Sequence, residues 1–232
     1  PLEAGKFKLY LHVFNWPYNH RLPVTGIVTK PSRAYVLRDK QKQVLGFKHQ
    51  DVYTEIALPA RQPDPLIPVI VLEYDAKPEI VEGLVAKTVD GGYSLKPENT
   101  MTTDGDVTMH GYEHGGTVPP HITVSEDYKA LWKIYVDKPG DVVVDVSYSF
   151  QGKKSGGTIT VQVAESMISH DIAPTGLTVG EPNSSWHIDN FTSHKIGTIS
   201  LPEPGIYEIT MEIEAKKDNP VKFQWLWVEA IQ

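Results

Sequence analysis

Three short stretches hold side chains whose types could do chemistry. Residues 184–189 read Ser-Ser-Trp-His-Ile-Asp, which gathers a hydroxyl, an imidazole and a carboxylate. A nucleophilic triad needs such groups converging from separate elements, beside donors for an oxyanion. Neighbours along one loop do not converge in that way, so the stretch is not read as catalytic. Recognition suits it better. Trp186 can stack on the apolar face of a pyranose ring while His187 hydrogen-bonds its hydroxyls, or Trp186 can fold inward and plug one end of a sandwich. Tyr112 and His114 bring an aromatic ring and an imidazole to a second polar stretch. With Trp186 and His187 they make up the candidate carbohydrate contacts.

His110 and His114 stand four apart, a spacing that suits zinc on a helix. Gly111, Gly115 and Gly116 surround them and no His-Glu-x-x-His pattern is present, so they read as loop histidines. Asp104-Gly105-Asp106 could offer oxygens to calcium, but the rest of a calcium loop is missing and a turn is the simpler reading. No metal and no cofactor is expected. Glycosidase chemistry needs two carboxylates about 5–9.5 Å apart in a cleft. Asp51, Glu55, Asp64, Glu73 and Asp75 each fall at a turn or on a polar strand face, and nothing in the pattern pairs them. No residue of this chain is therefore assigned a catalytic role. The chain has no cysteine, which removes disulfides, thiolate metal sites and cysteine nucleophiles.

These side chains must be held by strands. The chain has 232 residues, room for one large or two ordinary domains. With 40% hydrophobic and 22% charged residues it has a globular composition. Its net charge of -7 and the lack of a basic run argue against a nucleic-acid partner. No apolar run approaches the ~20 residues of a membrane span. The first residue is Pro1, which suggests a start inside a longer gene product.

Residues 6–17, KFKLYLHVFNWP, read as one strand ending at Trp16-Pro17. Phe7, Leu9, Leu11 and Val13 form an apolar face expected to be buried, and Lys8, Tyr10, His12 and Phe14 form a mixed one. A turn-rich connection follows through residues 18–26, then short strands at 27–28, 34–38, 44–49, 52–58 and 69–74. Residues 59–68 hold four prolines and cannot be a helix. Residues 79–123 loosen into a strand or two and a long loop. The remainder carries an internal echo. Lys138-Pro139-Gly140 leads into a strand with Val142, Val144, Val146, Tyr148 and Phe150 on one face, and Glu203-Pro204-Gly205 into one with Tyr207, Ile209, Met211, Ile213 and Ala215. The last strand is apolar on both sides, with Phe223, Trp225 and Trp227 expected on one face and Leu226, Val228 and Ala230 on the other. No stretch shows helical periodicity. The expected fold is all-β, with two antiparallel β-sandwich domains in series, residues 1–78 and 79–232.

Residues 9–17, LYLHVFNWP, resemble the point at which bacterial α-L-fucosidases of glycoside hydrolase family 29 leave their catalytic barrel for a C-terminal β-domain. The series that follows is similar too: Ala34-Tyr35-Val36-Leu37, Ile56-Ala57-Leu58-Pro59, Pro63-Asp64-Pro65 and Val69-Ile70-Val71-Leu72-Glu73. The match spans residues 5–75. Beyond Pro78 the chain more loosely resembles the jelly-roll, carbohydrate-binding-module-like domain appended to some of these enzymes, through residues 93–98 and Met109-His110-Gly111. Their acidic calcium signature is not evident here. The resemblance implies an accessory region of a retaining fucosidase, periplasmic or extracellular. Its partners would be a catalytic barrel outside this chain and a fucosylated glycan. The family's catalytic carboxylates lie in that barrel and match no residue here. The alternative is a structural or interaction module without a ligand, docking through its two-faced last strand.

Overall fold

A computed structural model describes residues 5–88, 90–113, 116–180, 187–216 and 219–231. The chain forms two compact units, Pro1–Asp90 and Gly91–Gln232. Among the described residues the regular structure is strand, apart from one 3-10 turn at Pro97–Asn99. The all-β expectation holds.

The first unit carries β1 (Phe7–His12), β2 (Arg21–Thr25), β3 (Arg33–Val36), β4 (Phe47–Gln50), β5 (Tyr53–Ala57), β6 (Val69–Tyr74) and β7 (Leu84–Val85). Two antiparallel sheets of three strands, β1-β6-β3 and β2-β5-β4, enclose a core of Val13, Ile27, Val36, Ile56, Leu58, Ile70, Leu72 and Tyr74. The unbroken apolar run of β6 makes it the central strand of its sheet, with Ile70, Val71 and Leu72 fully buried. Backbone bonds from Val28 N–H to Glu79 O and from Val81 N–H to Gly26 O tie residues 79–81 into this unit.

Two expectations need correction here. Residues 21–25, read as part of a turn-rich connection, are strand β2. Pro23 is tolerated because β2 is an edge strand, where a missing N–H costs no ladder bond. The strand read over residues 6–17 is shorter, ending at His12, and its apolar face is not uniformly buried. Val13 is buried and Leu9 and Leu11 half-buried, but Phe7, at the start of an edge strand, is exposed.

The second unit carries β8 (Tyr93–Leu95), β9 (Thr102–Asp104), β10 (Val107–His110), β11 (His121–Val124), β12 (Asp127–Val136), β13 (Gly140–Phe150), β14 (Gly157–Val163), β15 (Ser166–Asp171), β16 (Leu177–Val179), β17 (Ile188–Asp189), β18 (Thr192–Leu201), β19 (Gly205–Ala215) and β20 (Val221–Ala230). One antiparallel sheet runs β10-β11-β20-β13-β18, with β8 also on β20. The facing sheet runs β15-β14-β19-β12, with β9 also on β12. The two echoed strands, β13 and β19, are interior strands of opposite sheets. Their alternating apolar residues meet in one core: Val142, Val144, Val146, Tyr148 and Phe150 from β13, Ile209, Met211 and Ile213 from β19. Trp132 is fully buried, its indole N–H donating to Lys96 O at 2.9 Å.

The last strand departs from the expected alternation. Along β13 the partner of Ser147 is Trp225 but that of Tyr148 is Phe223, so Gln224 is an extra residue, a β-bulge. The bulge turns Phe223 inward, fully buried with Leu226 and Val228. Trp225 and Trp227 stay on the opposite face, half-buried. Trp227 lies on Gly92, where a Cβ would come within 2.3 Å of the indole.

Candidate functional site

The β10–β11 hairpin closes on residues 111–120, and its last cross-strand pair is His110 with His121. Side chains directly opposite each other lie on one face of a sheet. The two imidazoles therefore stack, with centroids 4.6 Å apart and planes 7° from parallel. Each ring is anchored. His121 Nδ1 lies 2.9 Å from the Pro119 carbonyl, which can only accept, so the proton sits on Nδ1 and the lone pair on Nε2. His110 Nε2 lies 3.1 Å from Thr123 Oγ1, and His110 Nδ1 lies 3.0 Å from Glu113 Oε1. Glu113 is fixed by a backbone bridge to Val118. Phe191 packs against His121 at 5.1 Å. Burial depresses the His121 pKa, and the nearby His110 and Lys222 push it the same way, so the ring is neutral near pH 7.

Beside the histidines lies a second polar pair. Asp189, on β17, is buried and its Oδ2 accepts from Lys222 Nζ. Lys222 pairs with Thr123 across the β11–β20 ladder. Asp189 Oδ1 is buried without a hydrogen-bond partner, and His187 Nε2 lies 3.9 Å from it. An ion pair this buried survives only with good geometry, so removing Lys222 would leave an uncompensated carboxylate. Asn190 Nδ2–H to Thr175 O at 2.9 Å and Gln151 Nε2–H to Gly176 O at 2.6 Å brace the neighbouring turn.

Of the four residues singled out from the sequence, two lie in this region. Tyr112 is 74% exposed in the hairpin loop, next to Glu113. His187 is half-buried immediately before β17. The two stretches meet where Phe191 contacts His121. Trp186 and His114 lie outside the described residues, as do Ser184 and Ser185. His110 is not the loop histidine read from the sequence, because it ends β10. His121, Glu113 and Lys222 were not singled out, and Asp189 was read only as the carboxylate of the 184–189 stretch. The available signal was Pro119-Pro120 followed by His-Ile-Thr-Val, an alternating run that pairs with Val-Thr-Met-His.

Other ionisable groups are paired or dispersed. Lys8 bonds Glu73 at 2.8 Å, Arg38 bonds Asp64 at 2.9 Å and Arg21 bonds Glu55. Those three carboxylates each face a cation, as an acid–base pair of carboxylates would not. Asp104-Gly105-Asp106 forms the expected turn, Gly105 having φ +115°. It borders a shallow recess of about 320 Å³ that also includes Asp127, Lys129, Glu212 and Glu214. Lys129 neutralises Glu212 there at 2.5 Å. The recess is on the sheet opposite the histidine pair.

A second histidine cluster is internal to the unit. Tyr148 hydroxyl lies 3.0 Å from His170 Nε2 and accepts from Ala173 N–H at 3.0 Å. His194 stacks on the Tyr148 ring at 4.7 Å. Burial, then the nearby His194, depresses the His170 pKa. The Tyr148 hydroxyl and His170 share one hydrogen bond and the Tyr148 ring stacks with His194, so this cluster reads as packing.

No protein-family model and no curated relative matches the chain. Among solved structures, it is similar to an α-L-fucosidase from Vibrio sp. strain EJY3, with TM-score 0.50 and 16% identity over 96% of this chain. The chain spans 38% of that fucosidase's length. The C-terminal family 6 carbohydrate-binding module of the laminarinase LamC from Zobellia galactanivorans gives TM-score 0.42 and 13% identity, over 60% of this chain and 99% of that one. A family 35 carbohydrate-binding module from Clostridium thermocellum gives TM-score 0.45 and 11% identity, over 61% and 99%. Along nearly all of its described length, the chain has the fold of a part of the Vibrio α-L-fucosidase, a likeness of architecture rather than of sequence.

Proposed function

We propose that this chain is a non-catalytic accessory region of an α-L-fucosidase-type glycoside hydrolase. The sandwich built from β1–β6 seats a catalytic barrel carried elsewhere in the protein, and the one built from β8–β20 binds fucosylated glycan. The observation that carries the reading is the fold likeness over 96% of this chain to 38% of a fucosidase. Two features of the chain agree with it. The carboxylates Glu55, Asp64 and Glu73 are all taken up by cations, so none is poised for glycoside chemistry. The first unit also leaves Tyr10, Phe14 and Tyr18 at least half exposed on and just after β1. Exposed aromatic clusters of this kind mark interaction surfaces, and a barrel is the occupant the reading assigns.

In the second unit the glycan would lie over the Tyr112 and His187 stretches; Trp186 and His114, read from the sequence as further contacts, lie outside the described residues. Tyr112 offers an exposed ring for stacking, and His187 a ring nitrogen for a hydroxyl. A secreted or periplasmic location accords with such a substrate. No helix among the described residues is long and apolar enough to cross a membrane. The chain alone should show no hydrolysis of aryl fucosides. It should associate with a separately expressed fucosidase-type barrel, and Y10S/F14S/Y18S should abolish that association. Turnover by the chain alone would overturn the reading.

A further inference from the structure

We propose that His110, Glu113 and His121 form a binding site for a divalent cation of the zinc class. The site does not depend on the carbohydrate reading. Three ligand atoms, one from each residue, lie within 4.8 Å of one another. Two imidazoles and one carboxylate are a three-protein-ligand set that zinc uses, with a fourth position open. Ligands about 2.0–2.2 Å from a tetrahedral zinc are roughly 3.3 Å apart, so the widest-spaced atoms must close by about 1.5 Å, and the stacked rings must turn out of their parallel planes to bring both lone pairs onto one ion.

The hydrogen bonds set the rings for this role. A metal-bound histidine holds its other nitrogen with an acceptor, which fixes tautomer and orientation. Here the Pro119 carbonyl holds His121 Nδ1 and Thr123 Oγ1 holds His110 Nε2. The nitrogens that would bind are His121 Nε2, whose lone pair is free, and His110 Nδ1, whose proton donates to Glu113 Oε1 at 3.0 Å and is displaced by the cation. An independent observation points to a ligand: His121 is 2% exposed and its Nε2 has no hydrogen-bond partner. A buried acceptor without a partner costs about 1–3 kcal/mol. Packing alone leaves that cost standing, whereas a cation on the Nε2 lone pair removes it.

Donor chemistry sets the class. Calcium and magnesium want mostly oxygen ligands, and this set offers one carboxylate. Imidazole favours zinc, nickel and copper.

The test titrates the chelator-treated full chain with zinc chloride against a chromogenic zinc indicator, and reads imidazole nitrogens by NMR. The expected result is one equivalent bound, with the His121 Nε2 and His110 Nδ1 resonances shifting. E113Q and H110Q, on partly exposed residues, should weaken binding at least tenfold while the metal-free fold is kept. T123V, which removes only the orienting hydroxyl, should weaken it about 10–100-fold. Failure to bind one equivalent would overturn the proposal. So would binding unchanged in H110Q and E113Q, or resonance shifts confined to His170 and His194.

Discussion

His110 and His121 face one another across the last rung of the β10–β11 ladder, rings 4.6 Å apart and 7° from parallel. Neutral imidazoles tolerate this arrangement, but two imidazolium rings at that distance repel.

Acid should therefore weaken the second unit above the usual carboxylate range. His121 and His170 both have folded pKa values below their unfolded value near 6.5, chiefly through burial. The unfolded chain then binds more protons in the window between the two values. Their contribution is complete above about pH 6.5 and is lost as pH falls towards the folded values. Thermal unfolding followed by circular dichroism should show Tm falling from pH 7.5 to 5.5, with a smaller fall in H170N. An equal fall in H170N would remove His170 from the account.

The bulge at Gln224 predicts unequal costs along one strand. F223A should destabilise by about 3–5 kcal/mol, as for a fully buried aromatic, and W225A by clearly less. Urea unfolding measures both. Equal costs would mean that β20 alternates without interruption.

Gly157 cannot take a side chain. Its φ is +123°, and a Cβ would lie 1.8 Å from the Glu214 carbonyl oxygen on the paired strand. G157A should cost upwards of about 2 kcal/mol, because backbone strain and overpacking add. A Tm within a degree of the parent would contradict that geometry.

Removing Lys222 should cost more than removing an exposed lysine. Asp189 is 7% exposed and Lys222 is its cation. K222M should destabilise by about 3–5 kcal/mol, whereas K222M/D189N should recover much of the loss. Additive losses in the double variant would show that the pair is not coupled.

What could be read from the sequence follows physical locality. Period-two alternation with Pro-Gly turns defines β13 and β19, because burial on one face writes itself into the chain. The central strand β6 shows as an unbroken apolar run. Strand β2 was hidden by Pro23, whose tolerance depends on its being at a sheet edge. The facing of Phe223 depends on one extra residue opposite β13, which no local pattern reveals. At the candidate site, Tyr112 and His187 stand out as types, but the pairing of His110 with His121 is a matter of register. Asp189 with Lys222 spans 33 positions and belongs to tertiary structure.

The central claim is that the second unit of a non-catalytic chain binds fucosylated glycan beside Tyr112 and His187. Isothermal calorimetry of the full chain against fucosylated oligosaccharides tests it most directly, with Y112A and H187A as comparison variants. The account predicts saturable binding that falls at least tenfold in each variant, with circular dichroism unchanged. No binding to any fucosylated or galactose-rich oligosaccharide, or binding indifferent to both substitutions, would contradict it.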